Sequence, residues 1–200
     1  MADRRKDRSN TYLVQALVRL MENQDIQSIT IQNLVDEAEI ARSTFYSLYE
    51  DKQQFLDKII EDMFSRLRSE TMPEKPSKSG FHEKDRYKYY VKHFLYIAQN
   101  ANFFRVMLSN HGLSCFRKKM EDSARITYAE IFSDIDETRL PIPKDCLIQY
   151  LISAHMGITF KWLEDNMKYS PFYMAEMISL LTCEGILRSL YLDNMVNLPK

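Results

Sequence analysis

Within residues 42–46, Arg42, Ser43, Thr44 and Tyr46 surround a single inward-facing aromatic, Phe45. One guanidinium, two short hydroxyls and a phenol are donors and acceptors suited to phosphate oxygens and base edges. A helix of barely two turns cannot stand alone, and with so polar a surface it adds little to a core. Its outer face therefore predicts a partner. Upstream, Ile31, Leu34, Val35 and Ala38 recur at spacings of three, four and seven, the pattern of a first short helix with one buried side. Two short helices joined by a tight turn read as a helix-turn-helix that enters the DNA major groove. The plainer reading is a small helical hairpin within a bundle.

Such a pair needs a scaffold. Residues 1–8 are polar and charged, and are expected to form an arm that orders only on a phosphate backbone or in a minor groove. A helix from about Asn10 to Asn23 follows, with Leu13, Ala16, Leu17 and Leu20 on the face that roofs the short helices, and with Ser9 or Asn10 as its cap. Thr30 is a good N-cap for the first short helix. Downstream, Asp51 can cap a longer connector helix, with Gln54 reaching back to complete a capping box. Phe55, Leu56, Ile59, Ile60, Met63, Phe64 and Leu67 give that helix a wide apolar stripe.

The composition sets the class. In 200 residues, four Gly and six Pro argue against a turn-rich β fold, an apolar fraction of 45% supplies a core, and no useful alternating strand is found. The chain is expected to be all-α. The formal net charge is −1, and residues 1–70 hold ten Lys or Arg against thirteen Asp or Glu, so any nucleic-acid contact must come from local placement of charge. Cys115, Cys146 and Cys183 are odd in number, widely spaced and set among apolar residues, which predicts buried reduced thiols. No apolar run follows the basic N-terminal residues and no stretch reaches about 18 apolar residues, so a cytoplasmic protein with no membrane partner is expected.

Beyond a Pro-, Ser- and Gly-containing linker at 71–80, the apolar periodicity predicts further helices at about Lys84–Asn100, Asn102–Asn110 and Leu113–Ile135, then a long pair at Asp145–Tyr169 and Pro171–Leu192. Ser170 and Pro171 make a strong helix start. The last two helices are apolar on more than one side, which predicts a four-helix seam with a second copy. The organisation expected is a helix-turn-helix domain at 1–50, a connector helix at 51–70, a flexible linker at 71–83 and a ligand-binding and dimerisation domain at 84–200.

The order of elements through Ala38-Glu39-Ile40-Ala41, Ser43-Thr44-Phe45-Tyr46, Tyr49-Glu50-Asp51-Lys52 and Phe55-Leu56 resembles the TetR family of bacterial transcriptional regulators over roughly residues 8–60. The segment 157–166, followed by Ser170-Pro171, looks like regulatory domains of some Gram-positive members. The resemblance implies an N-terminal three-helix DNA-binding domain, a C-terminal helical regulatory bundle, and a homodimer reading a palindromic operator of double-stranded DNA. It also implies a small molecule that alters the spacing of the two readers. Carried over by position, Thr30, Tyr46 and Lys52 would hold phosphates, while Gln32, Arg42, Ser43 and Thr44 would face base edges; Phe45 and Tyr49 would be structural. The sequence departs from the pattern at Glu39, where the family usually has Gly, at Ala41, where a capping residue usually starts the recognition helix, and at Leu48. Glu39 either carries strain of about 1 kcal/mol at positive φ or marks a different turn. Loss of the cap at position 41 costs about 1 kcal/mol.

For the regulatory half, Tyr90, Phe94, Phe104, Met107, Tyr128, Phe132, Phe160 and Trp162 are the candidate pocket residues for a small apolar or aromatic effector, although such residues at helical spacing also fill cores. His82, His93, His111 and His155 lack metal-ligand spacing and read as ordinary surface or hydrogen-bonded residues. No nucleophile triad, phosphate loop or carboxylate pair stands out, so neither catalysis, cofactor nor metal is expected. The function expected is a ligand-responsive transcriptional regulator, a repressor; the alternative is a TetR-like protein-interaction module or coactivator with weak or no DNA binding.

Overall fold

In the computed structural model, residues 2–72, 83–133 and 135–189 are described, and every regular element among them is helical, as expected. Helix α1 spans Ala2–Met21, α2 Ile31–Glu37, α3 Arg42–Tyr46, α4 Lys52–Thr71, α5 Glu83–Gln99, α6 Ala101–Leu108, α7 Phe116–Ile131, α8 Lys144–Glu164 and α9 Pro171–Ser189. A 3-10 turn at Glu137–Arg139 precedes α8.

The boundaries differ from expectation where side chains bond locally. Helix α1 begins at Ala2, so the stretch expected to be an arm is helical. Arg8 Nε donates to the Tyr12 hydroxyl at 2.7 Å and Thr11 Oγ1 to the Asp7 carbonyl at 3.0 Å, links across one turn that carry the helix through this polar segment. Asn10 is thus no cap; its side chain accepts a hydrogen bond from the Tyr49 hydroxyl. Helix α8 stops at Glu164, five residues before the expected Tyr169, because Asn166 and Met167 both turn to φ 54°. The Trp162 indole donates to the Tyr169 carbonyl at 2.8 Å and closes that turn. The Ser170 cap is present, with the Tyr173 amide donating to Ser170 Oγ at 3.2 Å. Gly185, at φ 72°, interrupts α9.

The chain forms two compact units, Met1–Arg66 with Asn100–Met120, and Leu67–Gln99 with Glu121–Lys200. In this division the segment 100–120, expected within 84–200, packs with residues 1–66. The physical reason is the apolar density of α6. It buries Ala101, Phe103, Phe104, Val106 and Met107 and packs on α1. Phe116 stacks on Phe64 of α4 with ring centroids 5.5 Å apart. Polar links reinforce the join: the Ile26 amide donates to the His111 carbonyl at 2.9 Å, His111 Nδ1 lies 3.1 Å from Asp25 Oδ1, and Lys119 pairs with Asp57. Most of the linker expected at 71–83 lies outside the described residues, as do His82 and the end of the last expected helix.

In the second unit α5 packs along α9, and Tyr90, Phe94 and Ile97 of α5, Leu151, Ile152 and Met156 of α8, and Met174, Ala175 and Ile178 of α9 are buried. The expectation of buried thiols is corrected: Cys115, Cys146 and Cys183 are free and exposed in the single chain, because apolar neighbours in sequence do not fix which side of a segment faces the core; Tyr150 and Leu180, one turn from Cys146 and Cys183, are exposed as well.

Candidate nucleic-acid interface

The two short helices are held from beneath by a closed aromatic and aliphatic core. Phe45 has no exposed surface and meets Tyr49 at 5.6 Å and Phe55 at 5.8 Å; Leu13, Leu17 and Leu34 are equally inaccessible. Burial raises the Tyr49 pKa, with the nearby Asp62 carboxylate adding to the effect, so its phenol stays neutral and donates to Asn10. The structural roles expected of Phe45 and Tyr49 match this packing. Arg19 of α1 grips the end of α2, pairing with the Glu37 carboxylate and donating to its carbonyl at 3.0 Å.

Thr30 caps α2 in a reciprocal box. Its Oγ1 accepts from the Asn33 amide at 3.1 Å, while Asn33 Oδ1 accepts from the Thr30 amide at 2.9 Å. At the other end of α2 the chain makes a Schellman turn: the Ile40 amide donates to the Val35 carbonyl at 3.0 Å and the Glu39 amide to the Asp36 carbonyl at 3.2 Å. Glu39 takes φ 53°, the conformation for which glycine is favoured, so of the two alternatives the structure has the positive-φ turn. Ala41 starts α3 without a side-chain cap.

On this base Gln32, Arg42, Ser43 and Tyr46 are exposed and Thr44 is half-buried. Arg42 Nη2 donates to the Tyr46 hydroxyl at 3.1 Å, its guanidinium lies 5.6 Å from the Tyr46 ring centroid, and Nη1 reaches Gln32 Oε1 at 3.5 Å. Gln32 in turn donates to Asp36 Oδ1 at 2.7 Å. The planar guanidinium is therefore presented by an aromatic face and an amide, in a form that can bond two acceptors side by side.

Lys52 stands apart from this face. Its ammonium donates to the carbonyls of Ile26, Gln27 and Ile29 at 2.9, 3.2 and 2.7 Å, which engages all three of its donors. Partial burial holds its pKa below the ordinary lysine value. In this structure Lys52 ties the start of α4 to the loop before α2. Next to it, Asp51 accepts from the Gln54 amide at 2.8 Å as expected of a cap, while Gln54 Oε1 reaches back to the Glu50 amide at 2.7 Å, one residue beyond the expected box.

The expected effector residues divide. Tyr90, Tyr128 and Phe132 line a cavity of about 610 Å³ within the second unit, whose other walls include Leu151, Ile158 and Ile178. Phe94 and Trp162 do not line it; they pack edge to face at 5.3 Å and are core. Phe160 is half-buried and also lies outside the lining. Phe104 and Met107 are buried in the first unit.

His155, read from the sequence as an ordinary surface or hydrogen-bonded residue, is hydrogen-bonded and lines this cavity. Its Nδ1 meets the Tyr128 hydroxyl, and its Nε2 lies 3.1 Å from Thr182 Oγ1 and 3.5 Å from the Tyr90 hydroxyl. Burial pushes its pKa down to about 3, with His93 adding repulsion, and burial takes His93 itself to about 4. The available signal was a histidine on the same helical face as Leu151 and Ile158, one polar group on an apolar stripe. Among the described residues, no group of three or more His, Cys, Asp or Glu is placed to hold a metal ion, and no helix is long and apolar enough to cross a membrane.

Comparison with known proteins points the same way. A TetR-type family model described as "Transcriptional regulator C-terminal region" matches residues 84–183, half of the chain. An uncharacterized HTH-type transcriptional regulator of Bacillus subtilis strain 168, YxbF, is 23% identical over 164 residues, covering 82% of this chain but 42% of its own length. The chain thus spans well under half of that relative. Among solved structures, a TetR transcriptional regulator from Streptococcus agalactiae 2603V aligns with TM-score 0.58 and 23% identity over 90% of this chain and 96% of its own. The dihydroxyacetone kinase operon activator DhaS aligns with TM-score 0.62 and 16% identity over 95% and 98%.

Proposed function

Because this chain belongs to the TetR family of transcriptional regulators, we propose that it is a ligand-responsive repressor that binds a palindromic operator as a homodimer. The observation that carries this reading is the exposed Gln32–Arg42–Tyr46 face, formed by α2 and by the short α3, whose Phe45 anchor is fully buried. In the major groove Arg42 would take the two acceptors of a guanine, with Gln32, Ser43 and Thr44 beside it on base edges. Thr30 and Tyr46 would meet phosphates and set register. Lys52 keeps the scaffold in place.

Dimerisation through α8 and α9 is supported by Tyr150, Phe172, Tyr173 and Leu180, large apolar side chains exposed in the single chain. Pairing would place two readers on half-sites about 34 Å apart. A small apolar or aromatic effector would enter the second unit and alter that spacing. No cofactor or membrane partner enters the mechanism, and the site of action is the cytoplasm.

Retardation of DNA flanking the protein's own gene tests the proposal. Retarded fragments with affinity falling steeply as salt rises are expected, together with a loss of about tenfold or more for Arg42→Ala. Failure to retard any such fragment at low salt would overturn it. A second reading, a TetR-like protein-interaction module or coactivator with weak DNA binding, draws on the positive φ of Glu39 and the uncapped Ala41. Recovery of a partner regulator without any footprinted operator would favour it.

A further inference from the structure

The cavity in the second unit is apolar on most of its wall but has one polar centre. His155 supplies a ring whose two nitrogens face three hydroxyls, those of Tyr128, Thr182 and Tyr90. A neutral imidazole has one donor and one acceptor, and each hydroxyl can act as either, so the cluster can reorganise around a hydroxyl or a carbonyl brought in from outside. Its surroundings are aromatic: the Tyr90 ring stands edge-on to His155 at 5.1 Å, and Tyr128 stacks on Phe132 at 6.1 Å with planes 20° apart.

Charge is absent from the described part of the wall. No Asp, Glu, Lys or Arg is among the described lining residues. An anionic ligand would lose its water without gaining a cation, and a cationic one would find no carboxylate; either transfer is strongly unfavourable. The low pKa of His155, about 3, agrees, since the imidazole then offers no positive charge at neutral pH. The volume, about 610 Å³, is that of a small-molecule site.

We propose that this cavity binds an uncharged, largely apolar molecule carrying one hydroxyl or carbonyl group, which is anchored by His155 together with Tyr128 and Thr182. The inference rests on the effector reading given above and adds to it the class of ligand and the residues that select it.

The test is calorimetric titration of the full chain with four matched probes: 2-naphthol, naphthalene, 2-naphthoate and 2-naphthylmethylammonium. 2-Naphthol is expected to bind at least about tenfold more tightly than either charged probe, and about three- to tenfold more tightly than naphthalene, the margin of a neutral hydrogen bond. In His155→Leu that margin over naphthalene should vanish while naphthalene still binds; Thr182→Val, a milder change, should narrow it. Charged probes that bind as well as 2-naphthol, a margin that survives both substitutions, or no saturation by any probe would each overturn the proposal. DNA retardation on the same preparation separates the two readings. Binding of 2-naphthol without retardation of any fragment keeps the ligand class and removes the repressor, whereas retardation without 2-naphthol binding does the reverse.

Discussion

The first unit and the second are built from the same kind of amphipathic helix, yet they use polar groups in opposite ways. In the first, charge is a strap: Arg19 on Glu37, Lys119 on Asp57 and Lys52 on three carbonyls bind helices and loops to a core in which Phe45, Phe55, Phe104 and Phe116 have no exposed surface. In the second, the polar centre is neutral, a histidine among hydroxyls at the edge of a cavity. The difference teaches that the reading surface depends on rigidity, since bases are distinguished by donors and acceptors held in place, while the cavity depends on low polarity, since its walls must tolerate being emptied.

The contrast can be broken most severely at Phe45. Phe45→Ala should lower the free energy of unfolding by about 3–5 kcal/mol, measured by urea denaturation; a loss under about 1 kcal/mol would show that the core beneath the reader is not closed. Acid is the matching probe of the second unit. His155 and His93 have folded-state pKa values near 3 and 4, below the unfolded value of about 6.5. The unfolded chain therefore takes up protons first as the pH falls. Their contribution is complete above about pH 6.5 and declines toward pH 4, by up to about 1.4 kcal/mol per pH unit for each histidine. Denaturation midpoints across that range should fall accordingly, and His155→Leu should flatten the dependence.

Smaller effects sharpen the division within the reader itself. Lys52→Met should cost about 2 kcal/mol of stability through three lost charge-assisted hydrogen bonds, with the slope of log affinity against log salt unchanged; a slope reduced by about one would return Lys52 to the phosphates. Glu39→Gly should stabilise the chain by about 1 kcal/mol in the same denaturation experiment, because glycine enters positive φ without steric conflict. A destabilised Glu39→Gly variant would mean that the Glu side chain contributes more than its backbone strain costs.

Much of the helix layout in both units was legible because its signals are local. Thr30 before an apolar run, Asp51 with Gln54, and Ser170 before Pro171 each announce a helix start, and each is found bonded as a cap. Glu39 at a glycine position marked one positive-φ turn, whereas the turn through Asn166 and Met167 had no such signal. What was not legible depended on distance along the chain. Nothing near Lys52 says that carbonyls 23 to 26 residues earlier will take its donors. Nothing in the aromatic spacing of Phe104 and Met107 separates a cavity wall from the core of another unit, because both demand the same apolar side chains.

What the sequence determined by itself, then, is the set of helices, most of their caps and the exposed chemistry of residues 42–46, because periodicity of about 3.6 and capping act over a few residues. Tertiary structure decided which helices share a core, which carbonyls the Lys52 ammonium meets, and that His155 sits between two tyrosines and a threonine contributed by three other helices. Those outcomes arise when distant segments compete for the same buried space and the same hydrogen-bond partners, a competition that no local pattern records.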